Sequence, residues 1–131
     1  MSLSVKVSET LVTATAKALA TTGEQGVNVI PVSMIKVNDD SIWLFDFFMK
    51  KTATNLATNT AVALAAWTNL VGIQVKASAT YVTEGDDFDD AVTWVKTQNP
   101  DRVTKGLLIL KPTAVSDISP GGAFEASDLT V

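Results

Sequence analysis

The chain has 131 residues, 47% hydrophobic and 18% charged, a balance that supports one packed domain of ordinary size (1–131) and excludes a disordered segment. Ten Lys and Arg against 14 Asp and Glu leave a formal net charge of −4, the wrong sign for a surface dedicated to nucleic-acid phosphates. With no His and no Cys, imidazole and thiol catalysis, disulfides and the usual zinc and iron–sulfur donors are all excluded, so any chemistry rests on carboxylates, Lys, Tyr, hydroxyls or a bound organic cofactor.

Residues 1–15 are too polar for a secretory leader, and no apolar run approaches the ~18 residues that span a bilayer, so a cytoplasmic location without membrane contact is expected. Ser8, Glu9, Leu11 and Val12 predict a short helix. Residues 13–22 then alternate Ala14, Ala16, Ala18 and Ala20 with Thr13, Thr15, Lys17 and Leu19, the period of a strand. Gly23-Glu24-Gln25-Gly26 predicts a turn, and the β-branched run 27–37 folds back as a hairpin in which Pro31 marks an edge or a bulge. Asn38-Asp39-Asp40 predicts the next turn and 41–48 the next strand. Ala53, Leu56 and Ala57 predict a helix of about two turns over 52–59, capped by Thr52 or a close neighbour.

Residues 61–67 and 71–83 read as two more strands joined by Thr68-Asn69-Leu70. Phe88, Ala91, Val92 and Val95 fall at helical spacing within 86–98, with Asp86 and Asp87 at the positive end of the dipole and Lys96 near the negative end. Asn99-Pro100 ends that helix, 103–110 forms a sixth strand, 112–119 continues extended, and the tail 120–131 either hangs free or covers a partner. Strand connections this short leave no room for crossover helices. The expected fold is mostly β: a six-stranded antiparallel barrel of Greek-key type with about three short helices.

Chemistry concentrates in Phe47-Phe48-Met49-Lys50-Lys51-Thr52-Ala53-Thr54-Asn55-Leu56, where an aromatic strand end meets two lysines at a helix start. Lys50, Lys51, Thr52 and Thr54 suit a phosphate; the competing reading makes the lysines solvated turn residues and Thr52 a simple cap. The acidic group Asp86, Asp87, Asp89 and Asp90 lacks the turn glycine and closing Glu of a calcium loop and reads as a solvated helix start. Trp43, Trp67 and Trp94 read as core or interface in a chain with no basic stripe.

The order of elements, the hairpin 18–26, Val29-Ile30-Pro31-Val32 and Lys51-Thr52 followed by Asn55-Leu56 resemble the FMN-binding split-barrel family, which includes pyridoxamine 5′-phosphate oxidase and small bacterial FMN-binding proteins. The resemblance covers most of the chain and implies FMN bound through its phosphate at Lys50, Lys51 and Thr52. Trp67-Thr68-Asn69-Leu70 with Gln74-Val75-Lys76 is similar to a pattern of the oxidase branch, which adds Asn69 and Gln74 as flavin contacts. By the same resemblance the flavin ring lies along Val32, Ser33 and Met34 and along Phe47, Phe48 and Met49. A homodimer with the flavin at its interface is implied, together with redox chemistry towards a small molecule or an electron-transfer protein. The oxidase branch handles its phosphorylated substrate with Arg and His; this chain has one Arg, Arg102, and no His, which argues against that substrate and against the haem-linked relatives. A deazaflavin, or a barrel that has lost its flavin and acts without catalysis, is the alternative.

Overall fold

The computed structural model describes residues 3–131. Helix α1 (Val5–Thr13) starts earlier than Ser8, because the Ser4 side chain caps it by accepting from the Val7 amide, at 3.1 Å. It buries Val7 and Leu11, one turn apart. Strands β1 (Ala16–Gly23) and β2 (Gly26–Pro31) form the expected hairpin, closed by the pair Gly23 and Gly26, with Gly26 at φ 98°.

The run 27–37 is not one strand. It divides into β2 and β3 (Ile35–Val37), so the sheet has seven strands where six were expected, in the order β2-β1-β5-β6-β7-β4-β3. β4 (Ile42–Asp46) pairs with β3 on one side and with β7 (Gly106–Asp117) on the other. β5 (Ala61–Thr68) and β6 (Val71–Val82) fill the middle of the sheet. Pro31 stands opposite Ala18 on the outer edge, the Val32 amide beyond it still donates to the Lys17 carbonyl at 3.0 Å, and the run breaks where the chain then turns from β1 to pair with β4. The two outer strands are therefore neighbours in sequence at opposite ends of the sheet. The link Val32-Ser33-Met34 holds their ends within about 15 Å of each other, the reach of four peptide steps. The sheet curls into a barrel that stays open along this seam. The split-barrel architecture expected from the sequence is the one observed.

Predicted strand 103–110 and the extension after it merge into β7, whose pairing with β6 shifts register between Lys76 and Ala77, beside Pro112. The inner face carries the main core, including Leu19, Leu44, Leu64, Val75, Leu108 and Leu110. A second cluster, Phe45, Phe47, Ala91, Val95 and Leu107, lies under α3 (Asp86–Gln98), which has its acids and its lysine at the expected ends. The outer face of β1 and β5 presents alanines, with Ala18 paired to Ala65 and Ala20 to Ala63.

The tail is tied down on its own chain. Asp117 accepts from the amides of Ser119, Ala123 and Phe124 at 2.9, 2.6 and 3.1 Å, and Ser4 Oγ donates to the Asp128 carbonyl at 2.7 Å. Phe124 and Leu129 pack on the main core. Hydrogen bonding from the Ala123 amide above all, then from the hydroxyl and amide of Ser119 and the amide of Phe124, holds the Asp117 carboxyl down at about 2. No helix among the described residues is long and apolar enough to cross a membrane.

Candidate functional site

Helix α2 (Lys50–Leu56) opens at Lys50 with Met49 as its cap, two residues before the predicted start. Thr52 is therefore not a cap. It falls on the face turned to the sheet with Leu56, is 1% exposed, and accepts from Asn28 Nδ2 at 3.4 Å. Lys50 and Lys51 stay exposed at the other side of the first turn.

Lys50, Lys51, Thr54, Asn55 and Thr58 form one wall of a cleft of about 470 Å³, and residues 24–28 of the β1–β2 hairpin form the other. Asn55 fixes the distance between these walls: its Nδ2 donates to Thr21 Oγ1 at 3.0 Å, and its amide oxygen fills the space where a Cβ on Gly23 would sit. A second cleft of about 360 Å³ continues along the same two segments. Ile30, Pro31, Val32 and Ser33 form one side and Phe45, Phe47, Phe48 and Met49 the other, with Arg102 among the lining residues. Asn28 and Ile30 on one wall, and Lys50 and Met49 on the other, mark where the two clefts meet. The two clefts follow one another along the same segments and together make a groove that is basic at the α2 end and apolar at the end towards Val32 and Ser33.

The cations at the apolar end stack on its aromatics. The Arg102 guanidinium lies 4.8 Å from the Phe47 ring centroid, and Lys105 Nζ lies 4.9 Å from that of Phe48, which is 82% exposed. Lys50, Lys51, Arg102 and Lys105 thus gather four of the ten cations of a net acidic chain around one short segment. Such a groove can hold a dianionic group at one end and a flat, apolar group at the other. No group of His, Cys, Asp or Glu among the described residues is arranged to hold a metal ion.

Of the sequence candidates, the groove brings together Lys50 and Lys51 at one end and Val32, Ser33, Phe47, Phe48 and Met49 at the other. Thr52 lies behind its wall. Met34 packs on the second cluster. Asn69, at φ 55°, is exposed in the β5–β6 hairpin loop, and Gln74 is on the outer face of β6 opposite Ala65. Gln74 is three strands from Pro31 along the row Pro31, Ala18, Ala65, Gln74, about 14 Å at the usual strand spacing. The sequence reading missed Gln25, Asn28, Asn55 and Arg102 as lining residues. The sole arginine was the one available signal; the other three have polar side chains of a kind that turns and caps use everywhere.

A family model described as pyridoxamine 5′-phosphate oxidase matches residues 4–119. A protein of Methanocaldococcus jannaschii, MJ0282, described as uncharacterized, is 33% identical over 108 residues, covering 79% of this chain and 72% of the relative. Among solved structures, HupZ of Group A Streptococcus superposes with a TM-score of 0.78 at 18% identity, over 92% of this chain and 97% of that one. An FMN-binding protein of Syntrophomonas wolfei gives 0.74 at 21% identity, over 88% of this chain and 86% of that one.

Proposed function

Because the chain belongs to the pyridoxamine 5′-phosphate oxidase family, we propose that it is a flavoprotein that holds FMN in the groove between β2 and the segment 47–58, and that it works as an oxidoreductase or electron-transfer protein. The observation that carries this reading is the polarity of the groove: two lysines at one end, a wall of Phe47, Phe48, Met49, Pro31 and Val32 at the other. Lys50 and Lys51 bind the phosphate as point charges, and the aromatic end keeps water off one face of a planar ring. Bound FMN supplies the hydride or electron transfer that a chain without imidazole or thiol does not provide itself. Arg102 contributes positive charge at the ring end, where negative charge gathers on a reduced flavin. The family name does not carry its substrate with it: the Arg and His of the oxidase branch are not matched by a chain with one Arg and no His.

A homodimer is part of the proposal. Val27 and Val29 are 70% and 63% exposed on the outer face of β2, beside the alanine rows of β1 and β5. An exposed edge strand with outward valines is a surface that a second chain can cover. Gln74 lies about 14 Å from Pro31 along the sheet, and a second copy across this face would bring Gln74 and Asn69 to the flavin of its partner. The test is the absorbance spectrum of the purified protein and an FMN titration followed by flavin fluorescence. A colourless protein that takes up no FMN would sink the reading. Competition with a deazaflavin of similar shape separates the two cofactors.

A further inference from the structure

Asp46 closes β4 immediately before the groove segment, and it is a carboxylate in an apolar stretch, 5% exposed. A buried acid in a strand needs partners for both oxygens. It has them. Oδ1 accepts from the Met49 amide at 2.6 Å, and Oδ2 accepts from the Tyr81 hydroxyl at 2.6 Å.

The second bond spans an unusual path. Tyr81 is on β6 and Asp46 on β4, with β7 between them, and the residue of β7 paired with Asp46 is Gly106. A Cβ on Gly106 would run into the ring and hydroxyl of Tyr81. The missing side chain is what lets the phenol cross a whole strand to reach the acid. Burial and the Asp46 carboxylate together push the Tyr81 hydroxyl up to about 12, so it remains a donor across the neutral range.

We propose that Asp46, held in place by Tyr81, is a positioning residue for the ligand groove: it fixes the turn Phe47-Phe48-Met49, and through it the direction of Lys50 and Lys51. The bond to the Met49 amide sets the cap residue of α2, and the Met49 carbonyl in turn accepts from the Ala53 amide at 2.9 Å as the helix begins. Neither Asp46 nor Tyr81 lines either cleft of the groove. Their effect on a ligand passes through the turn. The proposal rests on the flavin reading for the identity of that ligand, but the ordering of the turn is measurable without it.

The test uses Tyr81→Phe, which keeps the ring over Gly106 and removes only the donor, with Asp46→Ala and Asp46→Asn beside it. Amide hydrogen exchange at Met49 is read on the ligand-free chain, and FMN affinity is read by fluorescence. For Tyr81→Phe the expected result is exchange at Met49 faster by about tenfold and FMN bound about five- to twentyfold more weakly. Asp46→Ala should weaken binding further. Asp46→Asn, which still offers an oxygen to Met49, should restore most of it. A role confined to overall stability would lower the melting temperature of both Asp46 variants without the recovery in Asn. Unchanged exchange at Met49 in Tyr81→Phe overturns the proposal whatever FMN does, and so does faster exchange with FMN affinity within twofold of the parent chain. If the parent chain binds no FMN while Met49 exchange still rises, the flavin reading falls and the ordering of the turn by Tyr81 stands. Should Asp46→Ala not fold, Tyr81→Phe and Asp46→Asn carry the decision alone.

Discussion

Asn55 occupies the space that Gly23 leaves empty. Its amide oxygen stands where a Cβ on that glycine would be, while its nitrogen donates to Thr21 Oγ1 at 3.0 Å, tying α2 to β1. Gly23→Ala should drive Asn55 off Thr21 and cost about 1–3 kcal/mol, the usual range for overpacking. Denaturant unfolding measures the cost. A shift below about 0.5 kcal/mol, in the range of a neutral surface change, would show that α2 moves aside without strain.

Replacing both Lys50 and Lys51 by Ala should weaken FMN by about 2–4 kcal/mol, the scale of one or two charge-assisted hydrogen bonds to a phosphate. Riboflavin, which has the same ring and no phosphate, provides the control. Its affinity should change little in the double variant, and equal losses for the two ligands would place the phosphate elsewhere.

The Asp117 clasp makes an acid-side prediction. Its carboxyl sits at about 2 in the folded chain against an ordinary 3.8, so the bonds it accepts stabilise the fold above pH 3.8 and lose that effect as pH falls towards 2. Amide exchange at Ala123 and Phe124 should accelerate on that descent. Asp117→Asn should show faster exchange at neutral pH and no further step in the acid.

Tyr81 makes the opposite prediction at the alkaline end. Its hydroxyl is raised from 10.0 to about 12, so its contribution is complete below pH 10 and is lost as pH rises through 12, because the unfolded chain releases the proton first. The stability difference between the parent chain and Tyr81→Phe should narrow over that window. A constant difference would mean that the hydroxyl does not keep its proton longer in the fold than outside it.

If the outer face of β2 packs against a second copy, placing a charge there should separate the copies. Val29→Lys is expected to turn a dimer into a monomer in light scattering while leaving the circular dichroism of the fold intact, because Val29 is 63% exposed within the single chain. A parent chain that is already monomeric would remove the dimer from the proposal.

How much the sequence disclosed varies by element and for physical reasons. Phe88, Ala91, Val92 and Val95 announced α3 because helical period is a local property. The split of 27–37 into two edges was hidden: the run is β-branched throughout, and only pairing with β1 on one side and β4 on the other decides where it breaks. Lys50 and Lys51 were legible as a basic pair, and the burial of Thr52 was not, because it follows from a helix start set by Asp46 and Met49. The approach of Tyr81 to Asp46 depends on the register of three strands and on one glycine between them. No spacing within the sequence encodes it.

The order β6-β7-β4-β3 has a temporal consequence. Among the described residues β4 pairs with the three residues of β3 and with β7, whose Gly106 stands opposite Asp46 although α2, β5, β6 and α3 lie between them in sequence. Bringing Asp46 to Gly106 and Tyr81 is therefore a long-range closure, a slow kind of step in folding. The order of the groove segment that follows β4 thus depends on a completed sheet rather than on its own local sequence.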